Sequence, residues 1–156
     1  MAVIADARTE RLILGSFPSE ASLAARQYYG HPRNQFWRLL GGVLDIELHA
    51  LDYAACIARV LKHRIGIWDV IGSCERAGSL DSAIRNEVPN DFATLFLRCP
   101  RIARVALNGG KAARYRRVIE SFGKQTVVLP SSSPANATHS FAHKLALWRE
   151  RLGGGT

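Results

Sequence analysis

Cysteine is scarce in this chain, and what little there is excludes a class of chemistry. Cys56, Cys74 and Cys99 stand far apart with no CxxC pair. They cannot supply the four thiolates that an all-cysteine zinc or iron–sulfur site needs. They read instead as buried thiols of a reducing cytoplasm. Long apolar runs are missing too. No stretch reaches the roughly 18 residues that a membrane-crossing helix requires, and Met1 to Arg11 carries Asp6 and Glu10 without an apolar signal core. Neither GxGxxG nor GxxxxGK[ST] occurs, which argues against dinucleotide and P-loop nucleotide chemistry. Acidic residues are the last shortage: 13 Asp and Glu face 21 Lys and Arg, a net charge of +8. That balance favours a polyanionic partner, although charge kept only for solubility gives the same number. The expectation is a cytoplasmic protein that needs no metal and no cofactor.

What is present suits a single folded domain over 1–156, with Gly153 to Thr156 as a frayed tail. Apolar residues make up 47% of the chain and charged residues 22%, ordinary globular usage. Four short apolar runs are bounded by turn formers: Leu12–Leu14 before Gly15, Ile65–Val70, Ile102–Leu107 before Asn108-Gly109-Gly110, and Thr126–Leu129 before Pro130. Such runs read as buried strands of a parallel sheet. Between them the three-or-four spacing of one buried helix face recurs at Phe36/Leu40/Val43, Tyr53/Ile57/Val60, Phe92/Leu95/Phe96, Tyr115/Val118/Ile119/Phe122 and Phe141/Leu145/Trp148/Leu152. Parallel strands need crossover helices, and both faces of their sheet need covering. The predicted fold is therefore an α/β three-layer α/β/α sandwich around a short, mainly parallel four-stranded sheet.

In such sheets ligands bind beyond the carboxyl ends of the strands, and three polar loops fall at three of those ends. In the first, Gly15-Ser16-Phe17-Pro18-Ser19, backbone N–H groups and serine hydroxyls could meet an anion or a base edge. Ser19 serving only as a helix N-cap would look the same. In the last, Ser131, Ser132 and Ser133 suit phosphate contacts, and Pro134 with Ala135 offers a small apolar wedge for a base step. Asn108-Gly109-Gly110-Lys111 lies between them in sequence. A further segment, Tyr28 to Trp37, sets aromatics beside amide and basic side chains, as a nucleobase pocket requires. Phe36 and Trp37 fall on the core face; Asn34 is either a site residue or a cap; His31 before Pro32 reads as a loop histidine.

Taken together, Gly15–Ser19, Tyr29-Gly30-His31-Pro32-Arg33-Asn34-Gln35-Phe36-Trp37 and Leu129–Pro134 resemble the motifs of the uracil-DNA glycosylase superfamily, closest to its hypoxanthine-DNA (deoxyinosine) glycosylase branch. Ile65–Val70 and Leu107–Lys111 fall where that family has matching segments, and the resemblance runs from about Leu12 to Trp148. Uracil and mismatch-specific branches carry Asn or Asp third in the first motif, where it orients water; this chain has Phe17, a departure shared by the hypoxanthine branch. The resemblance implies a role for Asn34 in catalysis, Tyr29 stacking on a flipped base, Asn108 beside it, and Ser131, Ser132 and Ser133 in the DNA-contacting motif.

That chemistry asks mainly for positioning and electrostatics: flip the nucleotide, hold the leaving base, and stabilise an oxocarbenium-like sugar while water attacks. The Asn34 amide, both donor and acceptor, suits a hypoxanthine edge or a water. Backbone N–H groups around Ser16 and Phe17 suit charge on the departing purine. No lysine is placed as a Schiff-base nucleophile, which favours a monofunctional enzyme. Asp69 and Glu75 are candidate electrostatic helpers. The expected partner is double-stranded or single-stranded DNA with a deaminated base, bound by a monomer. The rivals are a uracil or mismatch-specific glycosylase of the same fold and a non-catalytic DNA-binding module.

Overall fold

The computed structural model describes residues 1–136 and 138–153. The four apolar runs become strands β1 (Arg11–Gly15), β2 (Ile65–Asp69), β5 (Arg104–Asn108) and β6 (Gln125–Leu129), and β3 (Ile71–Glu75) and β4 (Arg85–Pro89) form a separate hairpin. The helices are α1 (Glu20–Ala25), α2 (Phe36–Leu44), α3 (Tyr53–Lys62), α4 (Phe92–Arg98), α5 (Gly110–Ala113), α6 (Arg116–Glu120) and α7 (Phe141–Leu152). The central sheet has the order β2-β1-β5-β6, with every neighbouring pair parallel. The predicted three-layer sandwich is the observed one.

Alternation along β1 explains the layers. Leu12 and Leu14 join Val105 and Leu107 in a core shared with Phe92, Leu95 and Phe96 of α4 and Ile119 of α6. Ile13 points the other way and joins Ile65, Ile67, Ala106 and Leu129 against Phe36, Leu39 and Leu40 of α2, Val60 of α3 and Trp148 of α7. Both faces of the sheet are covered, so the strand centres are apolar and the polar residues fall at the strand ends. Side-chain caps fix where the helices start: Ser19, Asp52, Asp91 and Ser140 accept from the backbone N–H of Ser22, Ala55, Thr94 and His143. Each such cap contributes about 1 kcal/mol.

Three features depart from the sequence reading. The antiparallel β3–β4 hairpin was not expected, and its pairing is irregular, with register shifts on both sides of Ser73. The predicted Tyr115–Phe122 helix is shortened to α6, preceded by the unexpected single turn α5, with Val118 and Phe122 left exposed and Ile119 buried. Gly153, expected in the frayed tail, donates its N–H to Arg149 O at 3.0 Å at the C-terminal end of α7, while 154–156 lie outside the described residues. Of the thiols, Cys56 and Cys99 are buried and Cys74 is half-buried. Among the described residues no helix is long and apolar enough to cross a membrane.

Candidate functional site

The chain leaves β1 for β2 on one side and later adds β5 and β6 on the other, so the strand order reverses between β1 and β5. That reversal opens a crevice at the carboxyl ends of the two strands. A cleft of about 680 Å³ occupies it, with loops after β1, β5 and β6 in its walls, as the sequence placed them. The volume lies in the usual range for a small-molecule site, roughly 300 to 1,000 Å³.

Gly15 closes β1 at the bottom of this cleft. A Cβ there would sit 2.6 Å from the Tyr29 hydroxyl and 2.7 Å from Asp69 Oδ1, so glycine lets two polar groups converge over the strand end. Tyr29 arrives from the loop before α2 with φ 55°, a left-handed conformation unusual for a large side chain. Its ring lies flat on Phe36, with centroids 3.8 Å apart and planes 8° from parallel. One ring face is thereby covered, and the hydroxyl accepts from Asn108 Nδ2 at 3.3 Å. Burial, reinforced by the nearby Asp69 charge, holds the phenol pKa above its ordinary value.

Asn108 is committed to the protein itself. Its Oδ1 accepts from the Ser132 N–H at 3.0 Å, and its Nδ2 donates to Ser132 Oγ at 3.0 Å as well as to Tyr29. Ser132 is only 1% exposed. Its hydroxyl anchors the serine loop to Asn108, and the residue also contributes to the cleft lining. Ser131, Ser133, Pro134 and Ala135 line the cleft, and Ser131 and Ser133 brace the loop by accepting from the Ser133 and Ala135 N–H groups. Lys144 fixes the loop from behind. Although 2% exposed, it donates to Gln35 Oε1 at 2.9 Å and Asn136 O at 3.0 Å. Desolvation lowers its pKa, and both contacts are neutral oxygens.

Asn34 lines the cleft and answers both readings of its sequence position. Its Oδ1 accepts from the Phe36 N–H at 3.0 Å and supports the start of α2. Its Nδ2 meets no protein acceptor among the described residues. The loop after β1 is likewise divided. Ser19 is the N-cap of α1 and also lines the cleft. Ser16 Oγ donates to Asp81 Oδ1 at 2.6 Å. The Phe17 ring turns against the core under the Arg76 guanidinium, 5.2 Å from its centroid, so that residue offers the cleft its backbone. Among the described residues nothing accepts the Ser16 or Phe17 N–H. His31 Nδ1 accepts from the Arg33 N–H, as suits a loop histidine.

The far wall of the cleft carries no motif legible in the sequence. The β3–β4 loop brings Ser79, Leu80 and Asp81 to the cleft mouth. It is tied there by Arg76, which donates to Pro18 O at 2.6 Å and Gly78 O at 2.8 Å, and by the Glu20 N–H donating to Ser79 Oγ. Leu80 remains 59% exposed. Of the two acids singled out earlier, Asp69 lines the cleft, whereas Glu75 accepts from Asn86 on the exposed hairpin.

A family model described as the uracil DNA glycosylase superfamily matches residues 2–151. The chain belongs to that superfamily. It is 42% identical over 137 residues to a protein named hypoxanthine DNA glycosylase from Methanosarcina acetivorans, covering 88% of this chain and 87% of that one. A protein of the same name from Methanosarcina barkeri is 37% identical over 147 residues, covering 94% and 92%. Among solved structures, the solution NMR structure of a candidate uracil DNA glycosylase from Methanosarcina acetivorans superposes with a TM-score of 0.85 at 39% identity, over 96% of this chain and 95% of that one. The segments whose sequence resembles that superfamily's motifs, Gly15–Ser19, Tyr29–Trp37 and Leu129–Pro134, each contribute residues to the cleft lining.

Proposed function

We propose that this protein is a monofunctional DNA glycosylase that flips a deaminated base, hypoxanthine in deoxyinosine, and hydrolyses its N-glycosidic bond in base excision repair. The carrying observation is likeness over nearly the whole chain to relatives named hypoxanthine DNA glycosylase, together with a cleft at the switch point that holds an uncommitted amide and two unbonded backbone donors. In this reading Asn34 Nδ2 orients the attacking water or the base edge. The Ser16 and Phe17 N–H groups meet charge on the departing base. Tyr29, backed by Phe36, offers its free face for stacking, and Asn108 positions Tyr29. Ser19, Ser131, Ser133 and Pro134 flank the backbone of the bound strand. No lysine lines the cleft among the described residues, and Lys144 and Lys111 are engaged elsewhere, which suits hydrolysis without a Schiff base.

One domain, acting as a monomer in the cytoplasm on double-stranded or single-stranded DNA, suffices for this chemistry. Nicking of duplexes containing inosine, uracil or a mismatch, with alkali to cleave abasic sites, tests it. Inosine duplexes should be cut fastest, and cutting only after alkali marks a monofunctional enzyme. An enzyme that prefers uracil, or one that binds and does not cut, would overturn the reading.

Leu80 should act as an apolar wedge opposite Pro134, entering the stack where the base has left. Burying such a side chain contributes about 2 kcal/mol. Leu80→Ala should therefore slow excision from duplex by up to about thirtyfold and leave single-stranded substrate unchanged, since no stack needs to be held open there. Equal losses on both substrates would remove Leu80 from that role.

A further inference from the structure

Asp69, the last residue of β2, is 5% exposed and lines the floor of the cleft. Its backbone carbonyl accepts from Asn90 Nδ2 at 2.8 Å, but no protein N–H or O–H among the described residues donates to its carboxylate oxygens. Oδ1 and the Tyr29 hydroxyl share the space above Gly15, beside the ring on which the proposed function stacks the flipped base. A buried carboxylate that kept its charge would call for donors or a cation. The charged and titratable groups around Asp69 are the amino terminus, Asp81, Arg76, Tyr28 and Tyr29, and none forms an ion pair with it. Arg76 donates from Nη2 to Pro18 O and from Nε to Gly78 O, its Nη1 is buried without reaching Asp69 or any other acceptor among the described residues, and Asp81 takes the Ser16 hydroxyl.

The geometry points to Asp69 as the general acid of the reaction, delivering its carboxyl proton to N7 of the departing purine. This rests on the reading of the cleft as the base pocket of a purine-excising glycosylase. The step balances without any redox partner. The C1′–N9 bond breaks and its electron pair passes to the purine, while the Asp69 proton goes to N7. Water oxygen bonds to C1′, and the proton that water sheds restores the Asp69 carboxyl. Burial, with Asp81 adding and the amino terminus and Arg76 opposing, pushes the Asp69 pKa up to about 7. A general acid works best when its pKa lies near the working pH.

Single-turnover release of hypoxanthine from duplex by the full chain, measured from pH 5.5 to 8.5, tests the assignment. The wild-type rate should fall as pH rises through about 7. Asp69→Asn, which keeps a donor but cannot transfer a proton, should be slower by a factor on the order of 10² at pH 6 and flat with pH. Asp69→Glu, which restores a transferable proton, should recover part of both the rate and the pH dependence. Thermal melting supplies a readout independent of activity. A carboxyl whose folded pKa lies above the ordinary carboxylate value stabilises the fold while protonated, and that contribution is lost as pH rises through about 7. Asp69→Asn should therefore melt higher than wild type at pH 8, with the difference closing below about pH 4. A variant with the wild-type rate, or a slowed one that keeps the wild-type pH profile, overturns the proposal and leaves the glycosylase reading standing. A wild-type enzyme that binds inosine duplex and releases no purine overturns both.

Discussion

Asn34→Ala should reduce single-turnover excision by a factor on the order of 10² or more while the protein remains folded. Two contributions of the amide are separable. Its Oδ1 supports the first turn of α2 through the Phe36 N–H, a cap-like bond contributing about 1 kcal/mol. That loss lowers the melting temperature by a few degrees in a domain of this size. Its Nδ2 has no protein acceptor among the described residues, and a preorganised donor aimed at reacting atoms is worth far more to a rate than to a fold. Asn34→Asp separates the two, because it keeps the oxygen that caps α2 and removes the amino donor. It should melt near wild type and still excise poorly. Equal damage to melting and excision in both variants would leave Asn34 as a cap alone. Single-turnover cleavage measured beside thermal denaturation gives the answer.

Gly15→Ala should cost a factor on the order of 10² in excision with little loss of secondary structure. The added methyl would meet the Tyr29 hydroxyl at 2.6 Å and Asp69 Oδ1 at 2.7 Å, closer than real Cβ contacts come. Both are side-chain tips, so the fold survives by displacing them. The displacement is the damage. Moving the Tyr29 hydroxyl breaks its bond from Asn108 and disturbs the ring stacked on Phe36, and an ångström of misplacement at a reacting centre costs about this much in rate. The far-ultraviolet circular dichroism of the variant should match wild type while its activity does not. Full activity in Gly15→Ala would mean that the two groups have room to move without consequence.

The central sheet was legible in the sequence because its strands are covered on both faces and so appear as short, mainly apolar runs, three of them ended by a turn-forming glycine, Asn-Gly or proline. The β3–β4 hairpin was not, for the opposite reason. Ile71-Gly72-Ser73-Cys74-Glu75 and Arg85-Asn86-Glu87-Val88-Pro89 are largely solvent-facing, bulged strands without a clean alternation, held partly by Glu87 accepting from Lys111 at 2.6 Å and from the Tyr115 hydroxyl. The far wall of the cleft escaped notice with it. The serine loop shows a different limit. Three consecutive serines are equivalent in sequence, and only Asn108, reaching across from β5, decides that Ser132 turns inward. Lys144 shows a third. It stands four residues before Trp148 on the buried face of α7, where the spacing alone does not tell a buried cation from a solvated one.

The two walls of the cleft are bonded to very different degrees. On one side the Gln35 N–H donates to Ser132 O, Lys144 joins Gln35 to Asn136, and Asn108 holds Ser132 and Tyr29. On the other, Ser16 and Phe17 present N–H groups that nothing among the described residues accepts. In amide hydrogen exchange the Gln35 and Ser132 protons should behave as members of the core, exchanging slowly, while those of Ser16 and Phe17 exchange at once in the free protein. A nucleotide entering the cleft would meet one rigid jaw and one whose amides wait for a partner. Slowed exchange confined to Ser16 and Phe17 would then mark a seated base.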